Sequence, residues 1–294
     1  MAVAPTALHI ALAFDERFWA PAYATMRGIC LSTHRRKDLV FHLCHPSLPA
    51  NVIEDLAAIR TEFGATLIHH DIDANTDYAH FSRKLPHTKY ISEVMYARLF
   101  FDRIVGVEAA RLLYIDADIL VRWPIEQLIE SDLEGRTLGA VKEPHSLVCS
   151  NRRDGNQDRD LFDPADPYFN SGLLLIDLKR WQDMDIAGRL YALEAEGTLA
   201  RLYNDQQILN YLFKNNWTQL DRGWNTLASS PAIEGLDPKA VHYTGLMKPW
   251  NLIAVLPFRR IYRHVMTNEF YYRYMRQRWR WSLERLGRRL LGRR

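Results

Sequence analysis

Two aspartates, Asp116 and Asp118, sit inside the otherwise apolar run LLYIDADILV at 112–121. In extended backbone, residues i and i+2 project to one face, so the two carboxylates point together. Paired like charges repel, and each loses hydration where it is partly buried. A cation between them relieves both problems. Arg111 and Arg122 lie too far along a strand to supply it, at ~3.3 Å per residue. A bound divalent ion is then the economical answer, and an exposed acidic turn is the competing one. The segment DADILVRWPIEQ lacks the glycine and the further oxygen ligands of an EF-hand loop. A dinucleotide-binding turn is excluded as well, because AFDERFWAP follows the first apolar run without a glycine fingerprint.

Three other segments carry candidate chemistry. In YFNSGLLLIDLKRW (168–181), Asn170, Ser171 and Gly172 precede an apolar strand, where small polar residues let a ligand approach the backbone. In NDQQILN (204–210), Asn204 is a helix N-cap candidate. Asp205 and Gln206 then fall in the first turn, where an acid complements the helix dipole or serves a reacting centre. In HYTGLMKPW (242–250), His242 and Lys248 flank Gly245 in a loop braced by Pro249. An imidazole added to two carboxylates shifts metal preference from calcium toward manganese, and a lysine is a point charge for phosphate.

Taken in this order, the four segments resemble glycosyltransferase family 8, the retaining sugar-nucleotide enzymes of GT-A fold, over roughly residues 8–258. Within it, the chain resembles the bacterial lipopolysaccharide galactosyl- and glucosyltransferases. The resemblance implies that Asp116, Asp118 and His242 bind Mn²⁺, with Mg²⁺ as the substitute, and that the ion bridges the diphosphate of UDP-galactose or UDP-glucose. It implies donor contacts from Asp15 (uracil), Arg98 (sugar or diphosphate), Ala117, Asn170, Ser171, and the phosphate-holding Gly245 and Lys248. Asp205 and Gln206 would flank the transferred sugar in the catalytic role. Glu16 and Arg17 follow Asp15 where the family often has an aspartate and an asparagine, so ribose contacts are not carried over. KYISEVM (89–95) carries no acceptor specificity.

Retention of configuration has two routes. Double displacement needs a nucleophile opposite the leaving group, which Asp205 supplies better than the neutral amide of Gln206. Front-face departure and return needs only that Gln206 steady a positive anomeric centre, and it is the preferred expectation. A metal-dependent nucleotidyltransferase and a non-catalytic membrane-associated glycan-binding module are the alternatives. The first lacks its usual glycine-rich basic loop, and the second leaves the paired acids, Gln206, His242 and Lys248 unexplained.

The elements that must position these residues are legible as patterns. Strands are expected at 8–14, 39–45, 65–71, 111–115, 138–143 and 172–178, and helices at 19–31, 51–63 (Asn51 as N-cap) and 91–105. This βαβα order predicts an α/β fold with a mostly parallel sheet flanked by helices. Two domains are expected: catalytic residues 1–258 and a basic tail 259–294. The tail holds twelve arginines against two acids, whereas the rest holds 26 basic and 33 acidic residues. Tyr272, Met275, Trp279, Leu283, Leu286 and Leu290 recur at helical spacing. An arginine-rich amphipathic helix over 271–294 fits an anionic membrane surface better than packing, and nucleic acid is not expected. Three scattered cysteines and a start without a charged n-region predict a cytoplasmic protein, peripheral on the inner membrane face.

Overall fold

The structure is a computed structural model and describes residues 7–86, 92–106, 109–144, 161–163, 165–214 and 216–290. Residues 89–91 of KYISEVM, Cys149, the Leu290 side chain and residues 291–294 lie outside that set. Seven strands form the main sheet in the order β3-β2-β1-β4-β7-β6-β8. They are β1 (Leu8–Ala13), β2 (Leu39–His45), β3 (Thr66–Asp71), β4 (Arg111–Ile115), β6 (Leu138–Lys142), β7 (Phe169–Asp177) and β8 (Thr218–Gln219). β5 (Ile119–Val121), β9 (Thr226–Leu227) and β10 (Ala240–His242) form a second, three-stranded sheet that the sequence patterns did not reveal.

β1, β2, β3 and β4 pair in parallel, joined in part by helices α1 (Trp19–Ser32) and α2 (Ala50–Phe63). Both faces of this sheet are covered, which is why its strands read as near-continuous apolar runs. The period of two divides them: Ile10, Leu12, Leu113 and Ile115 enter one core cluster, while Ala11, Leu112 and Tyr114 enter the other. β7 runs antiparallel to both β4 and β6 and carries Asn170–Gly172 inside the strand rather than ahead of it. Helix α3 (Asp205–Leu212) lies against β7. The α/β expectation therefore holds, with this one antiparallel insertion.

Two local expectations change. α2 is capped by Pro49 without a side-chain bond, so Asn51 is a helical residue and not the N-cap. The helix expected over 91–105 is a 3₁₀ helix, Glu93–Phe100, followed by a short α-helix, Phe101–Ile104. At three residues per turn, side chains three apart eclipse. Ser92, Met95 and Arg98 thus line up toward one cavity.

The basic tail folds as α4 (Arg259–Met266) and α5 (Asn268–Leu290). Its first part belongs to the core: Tyr262, Val265, Met266, Phe270, Tyr271 and Tyr274 are buried in it. Trp19 donates to Gln277 Oε1 at 2.7 Å, and Arg273 pairs with Asp55. Tyr272, Trp279, Leu283 and Leu286 remain exposed on another side of α5. No helix among the described residues is long and apolar enough to cross a membrane. Cys30 and Cys44 are free and buried.

Histidines link the parallel strands. His9 Nδ1 lies 3.0 Å from His42 Nε2, His42 Nδ1 lies 2.9 Å from His70 Nε2, and His45 Nε2 lies 2.8 Å from His69 Nδ1. Each contact needs one ring N–H and one bare nitrogen, so the two rings of a contact cannot both be fully protonated. Burial lowers the affinity of all five for a proton, and for His42, pushed down to about 3, the two flanking rings add to it. The unfolded chain binds protons at these rings below pH ~6.5, while the folded chain resists until the pH is lower. Stability therefore falls as pH drops through ~6.5, most through buried His42 and His45 and least through exposed, solvent-screened His69. The urea midpoint is expected to be lower near pH ~5.5 than near pH ~7.5, a window in which ordinary carboxylates stay ionised in both states. Equal midpoints would contradict this lowered proton affinity.

Candidate active site

β4 ends at Ile115, and the Asp116 N–H donates to Gly172 O of β7 at 2.8 Å. Asp116, Ala117 and Asp118 then form a tight turn, closed by Ile119 N–H on Asp116 O at 3.2 Å. The carboxylates converge because of this turn, not because an extended strand runs through them. Buried Thr25 of α1 braces it, its hydroxyl lying 3.0 and 2.9 Å from the carbonyls of Ala117 and Ile119. After the turn β5 leaves the main sheet and pairs antiparallel with β10, which sets His242 opposite Ile119. Tyr243 N–H donates to Asp118 O at 3.1 Å, continuing that register. His242 Nε2 consequently lies 3.2 Å from Asp118 Oδ1 and 3.7 Å from Asp116 Oδ2.

A polar chain that the sequence reading missed sets the imidazole tautomer. The Asn170 amide donates to Glu143 Oε2 at 2.8 Å. The Asn225 amide donates to Asn170 Oδ1 at 2.9 Å, and Asn225 Oδ1 lies 2.9 Å from His242 Nδ1. Because a carboxylate only accepts, donor and acceptor roles run one way along this chain. His242 Nδ1–H is thereby committed to Asn225, and Nε2 is the ring nitrogen that faces the two acids. Glu143 and Asn225 had no distinguishing spacing in the sequence. Only the LGAVKE strand pattern hinted at Glu143, as a carboxylate at a strand end.

Three electron-pair donors thus meet at one point. One atom from each of Asp116, Asp118 and His242 lies within 4.8 Å of the others. A Cβ added at Gly172 would stand 2.3 Å from His242 Cε1 and 2.8 Å from Asp116 Oδ2, so the glycine leaves the room these groups need. Two carboxylates and one imidazole in that space fit a divalent cation such as Mn²⁺. Gly172→Ala is expected to push His242 from the acid pair and to weaken Mn²⁺ binding at least ~10-fold, the scale of loss when metal-ligand support is disturbed. A Mn²⁺ titration followed by electron paramagnetic resonance tests this, and unchanged affinity would contradict it.

The protein supplies its own cations too, from residues far away in sequence. Buried Arg98 reaches Asp116 Oδ1 and Asp205 Oδ2, each at 2.9 Å, and donates to Ser171 O at 2.9 Å. Its guanidinium lies 4.3 Å from the Tyr114 ring centre, and the Tyr114 hydroxyl donates to Asp116. Lys248 Nζ lies 2.6 Å from both Asp118 Oδ2 and Tyr243 O. Burial would raise the Asp118 carboxyl, but Lys248 and His242 outweigh it and hold Asp118 well below the usual range. Asp205 is only 1% exposed, and burial raises its carboxyl against the opposing pull of Arg98. Burial likewise raises Glu143, partly offset by its bond from Asn170.

A cavity of about 500 Å³ opens over this floor, and Asp15, Arg98, Asp116, Ala117, Asp118, Gly245 and Lys248 line it. Phe14, Phe18, Val94 and Met95 give it an apolar side suited to a planar ring. Asp15 accepts from Arg17 N–H at 2.8 Å and from the Ser92 hydroxyl at 3.0 Å. Gly245 has φ of 77°, a left-handed conformation that suits glycine. Asn170, Ser171, Asp205 and Gln206 are not in that lining; they form a connected group beside it. The Ser171 hydroxyl donates to Asp205 at 2.9 Å, and Ser171 N–H donates to Gln206 Oε1 at 3.1 Å. Asn204 caps α3 by accepting from Gln207 N–H, as its position predicts. That cap starts the helix at Asp205 and aims its first turn at β7.

The Glycosyl transferase family 8 model matches residues 9–254. Glycosyltransferase GlyF of Streptococcus pneumoniae serotype 4 is 28% identical over 264 residues, covering 86% of this chain and 60% of that protein. Lipopolysaccharide 1,2-glucosyltransferase of Escherichia coli strain K12 is 30% identical over 201 residues, covering 63% of this chain and 57% of that protein. The chain thus spans about six-tenths of the length of these two curated relatives. Among solved structures, an active-site mutant of LgtC superposes with a TM-score of 0.73 at 24% identity, covering 88% of this chain and 95% of that one. Galactosyltransferase LgtC in complex with donor and acceptor sugar analogs gives 0.72 at 22% identity, with the same coverage. The fold is therefore of GT-A type, and the turn of paired aspartates, the histidine behind it and the match over residues 9–254 together show that the chain belongs to glycosyltransferase family 8.

Proposed function

We propose that this chain is a retaining transferase that moves a hexose, galactose or glucose, from its UDP carrier to a glycan acceptor of lipopolysaccharide type. The observation that carries the reading is the meeting of Asp116, Asp118 and His242 Nε2, with both aspartates lining a cavity that also presents Lys248 and Asp15. Mn²⁺ bound by those three residues supplies Lewis-acid stabilisation of the diphosphate leaving group. Lys248, which pairs with Asp118 and lines the same cavity, would add positive charge to that diphosphate as it leaves. Asp15 and the apolar side chains that line the same cavity would hold the uracil end.

Gln206 is the residue for the sugar side. Its Oε1 takes the Ser171 N–H and its Nε2 lies 3.5 Å from Glu143, which fixes the orientation of the amide. Asp205 is held by Arg98 and Ser171 beneath the surface, which supports a positioning role for it and favours front-face departure and return over a covalent aspartyl sugar. Similarity to the Escherichia coli lipopolysaccharide 1,2-glucosyltransferase supports a glucosyl donor and a lipopolysaccharide acceptor, and similarity to the galactosyltransferase LgtC supports a galactosyl donor.

Membrane contact through 271–294, on the cytoplasmic face, completes the proposal. It is supported by the exposure of Tyr272, Trp279, Leu283 and Leu286 while other residues of α5 pack on the body. The test of function is a panel of UDP-, GDP- and ADP-sugars with Mn²⁺ and a lipopolysaccharide core acceptor, read as nucleotide release. UDP release from UDP-glucose or UDP-galactose that stops on chelation is the expected result. Pyrophosphate release from nucleoside triphosphates, or tight UDP binding without turnover, would overturn it.

A further inference from the structure

The segment between β10 and α4 is built in an unusual way. Trp250 and Ala254 are buried, and Pro257 O accepts from the buried Tyr243 hydroxyl at 3.0 Å. Arg259 donates to Asn251 O and Leu252 O, each at 3.0 Å. Between these pins Leu246 is 68% exposed, Leu252 67%, Ile253 84% and Val255 81%. Ile253 and Val255 are the most exposed large apolar side chains among the described residues. Fixed backbone with bare aliphatic side chains is a display surface, since nothing among the described residues covers it and water disfavours it.

The neighbourhood says what covers it. Exposed Arg260 and Ile261 follow directly. Leu246, Lys248, Trp250 and Asn251 also wall one cleft together with Arg278, Trp281 and Arg285 of α5, so loop and helix stand side by side. Arg278 and Arg285 have no carboxylate partner among the described residues. Aliphatic tips on a loop that shares a cleft with arginines lacking a carboxylate partner complement a surface that is anionic outside and apolar within.

We propose that residues 246–255 are a second lipid-contacting element, which dips Leu252, Ile253 and Val255 into an anionic bilayer beside α5. This deepens the membrane reading and rests on it for the partner. Its consequence is that the loop bearing Gly245 and Lys248, and with it the rim of the donor cavity, is set at the membrane surface, where a lipid-linked acceptor lies. The element is distinct from the 271–294 helix, because a different segment makes the contact.

The experiment uses the full chain with Cys149→Ser and a polarity-sensitive fluorophore at Ile253→Cys or, separately, at Leu283→Cys. Vesicles of phosphatidylglycerol with phosphatidylethanolamine are compared with phosphatidylcholine alone. Both labels are expected to shift to apolar emission on the anionic vesicles only. Ile253→Asp with Val255→Asp is expected to weaken vesicle binding about tenfold or more, with melting temperature and Mn²⁺–UDP binding unchanged. A label at 253 that keeps aqueous emission while the label at 283 shifts would overturn the proposal and leave the helix as the membrane contact. A lipid-independent dimer that the double aspartate variant dissolves would assign the surface to a second copy instead. Failure of UDP binding in the unaltered chain would count against the donor-site reading without touching the vesicle result.

Discussion

Asp118→Asn is expected to abolish most activity while leaving the fold intact. The amide keeps the shape of the side chain and removes its charge. Lys248, 2.6 Å away, still finds an acceptor oxygen but loses its counter-charge, so the melting temperature should fall while the chain still folds. His242 Nε2 loses the nearer of its two acid neighbours. Affinity for Mn²⁺ should fall by more than ~10-fold, at least the loss seen when only the support of a metal ligand is changed. Turnover should drop by ~10²–10³-fold, the usual effect of deleting one group that stabilises a leaving-group charge. Mn²⁺ titration, UDP release and a thermal melt on the same preparation separate the three effects. Unchanged metal affinity would remove Asp118 from the metal site.

Arg98→Met is expected to have the largest effect on stability. The guanidinium lies between Asp116 and Asp205, with both carboxylates at 2.9 Å, and it is itself buried. Its removal leaves Asp205 charged in a buried site, where breaking such a pair typically costs ~3–5 kcal/mol. For a chain of this size that is on the order of a 10 °C fall in melting temperature. Lysine should not rescue it, because one ammonium cannot reproduce the fork that serves two carboxylates and the Ser171 carbonyl. Adding Asp205→Asn to Arg98→Met should recover part of the loss, since the buried charge goes with its partner. If the double variant melts no higher than the single one, Arg98 is held there for a reason other than charge pairing.

These two substitutions mark where reading the sequence stopped. Strands β1, β2, β3 and β4, helices α1 and α2, and the Asn204 cap were legible because each is set by spacing and side-chain chemistry within a few residues. The members of the site were legible as residue types in order. Their pairing was not: Arg111 and Arg122 were weighed as counter-charges because they are near in sequence, whereas Arg98 and Lys248, expected as donor contacts, do the pairing from 18 and 130 residues away. Glu143 and Asn225 were missed for the same reason, since a tautomer-setting chain has no local pattern.

The sequence by itself determined the α/β class, the parallel half of the sheet, the amphipathic basic tail and the identity of the three metal-binding candidates. Tertiary structure decided that Asp116 and Asp118 meet across a turn, that His242 joins them through the β5–β10 register, and that α5 packs on one side while baring another. The physical reason is one of range. Backbone periodicity and capping act over one or two turns of chain, whereas a metal site, a buried ion pair and an uncovered apolar surface exist only once distant segments have fixed their register against each other.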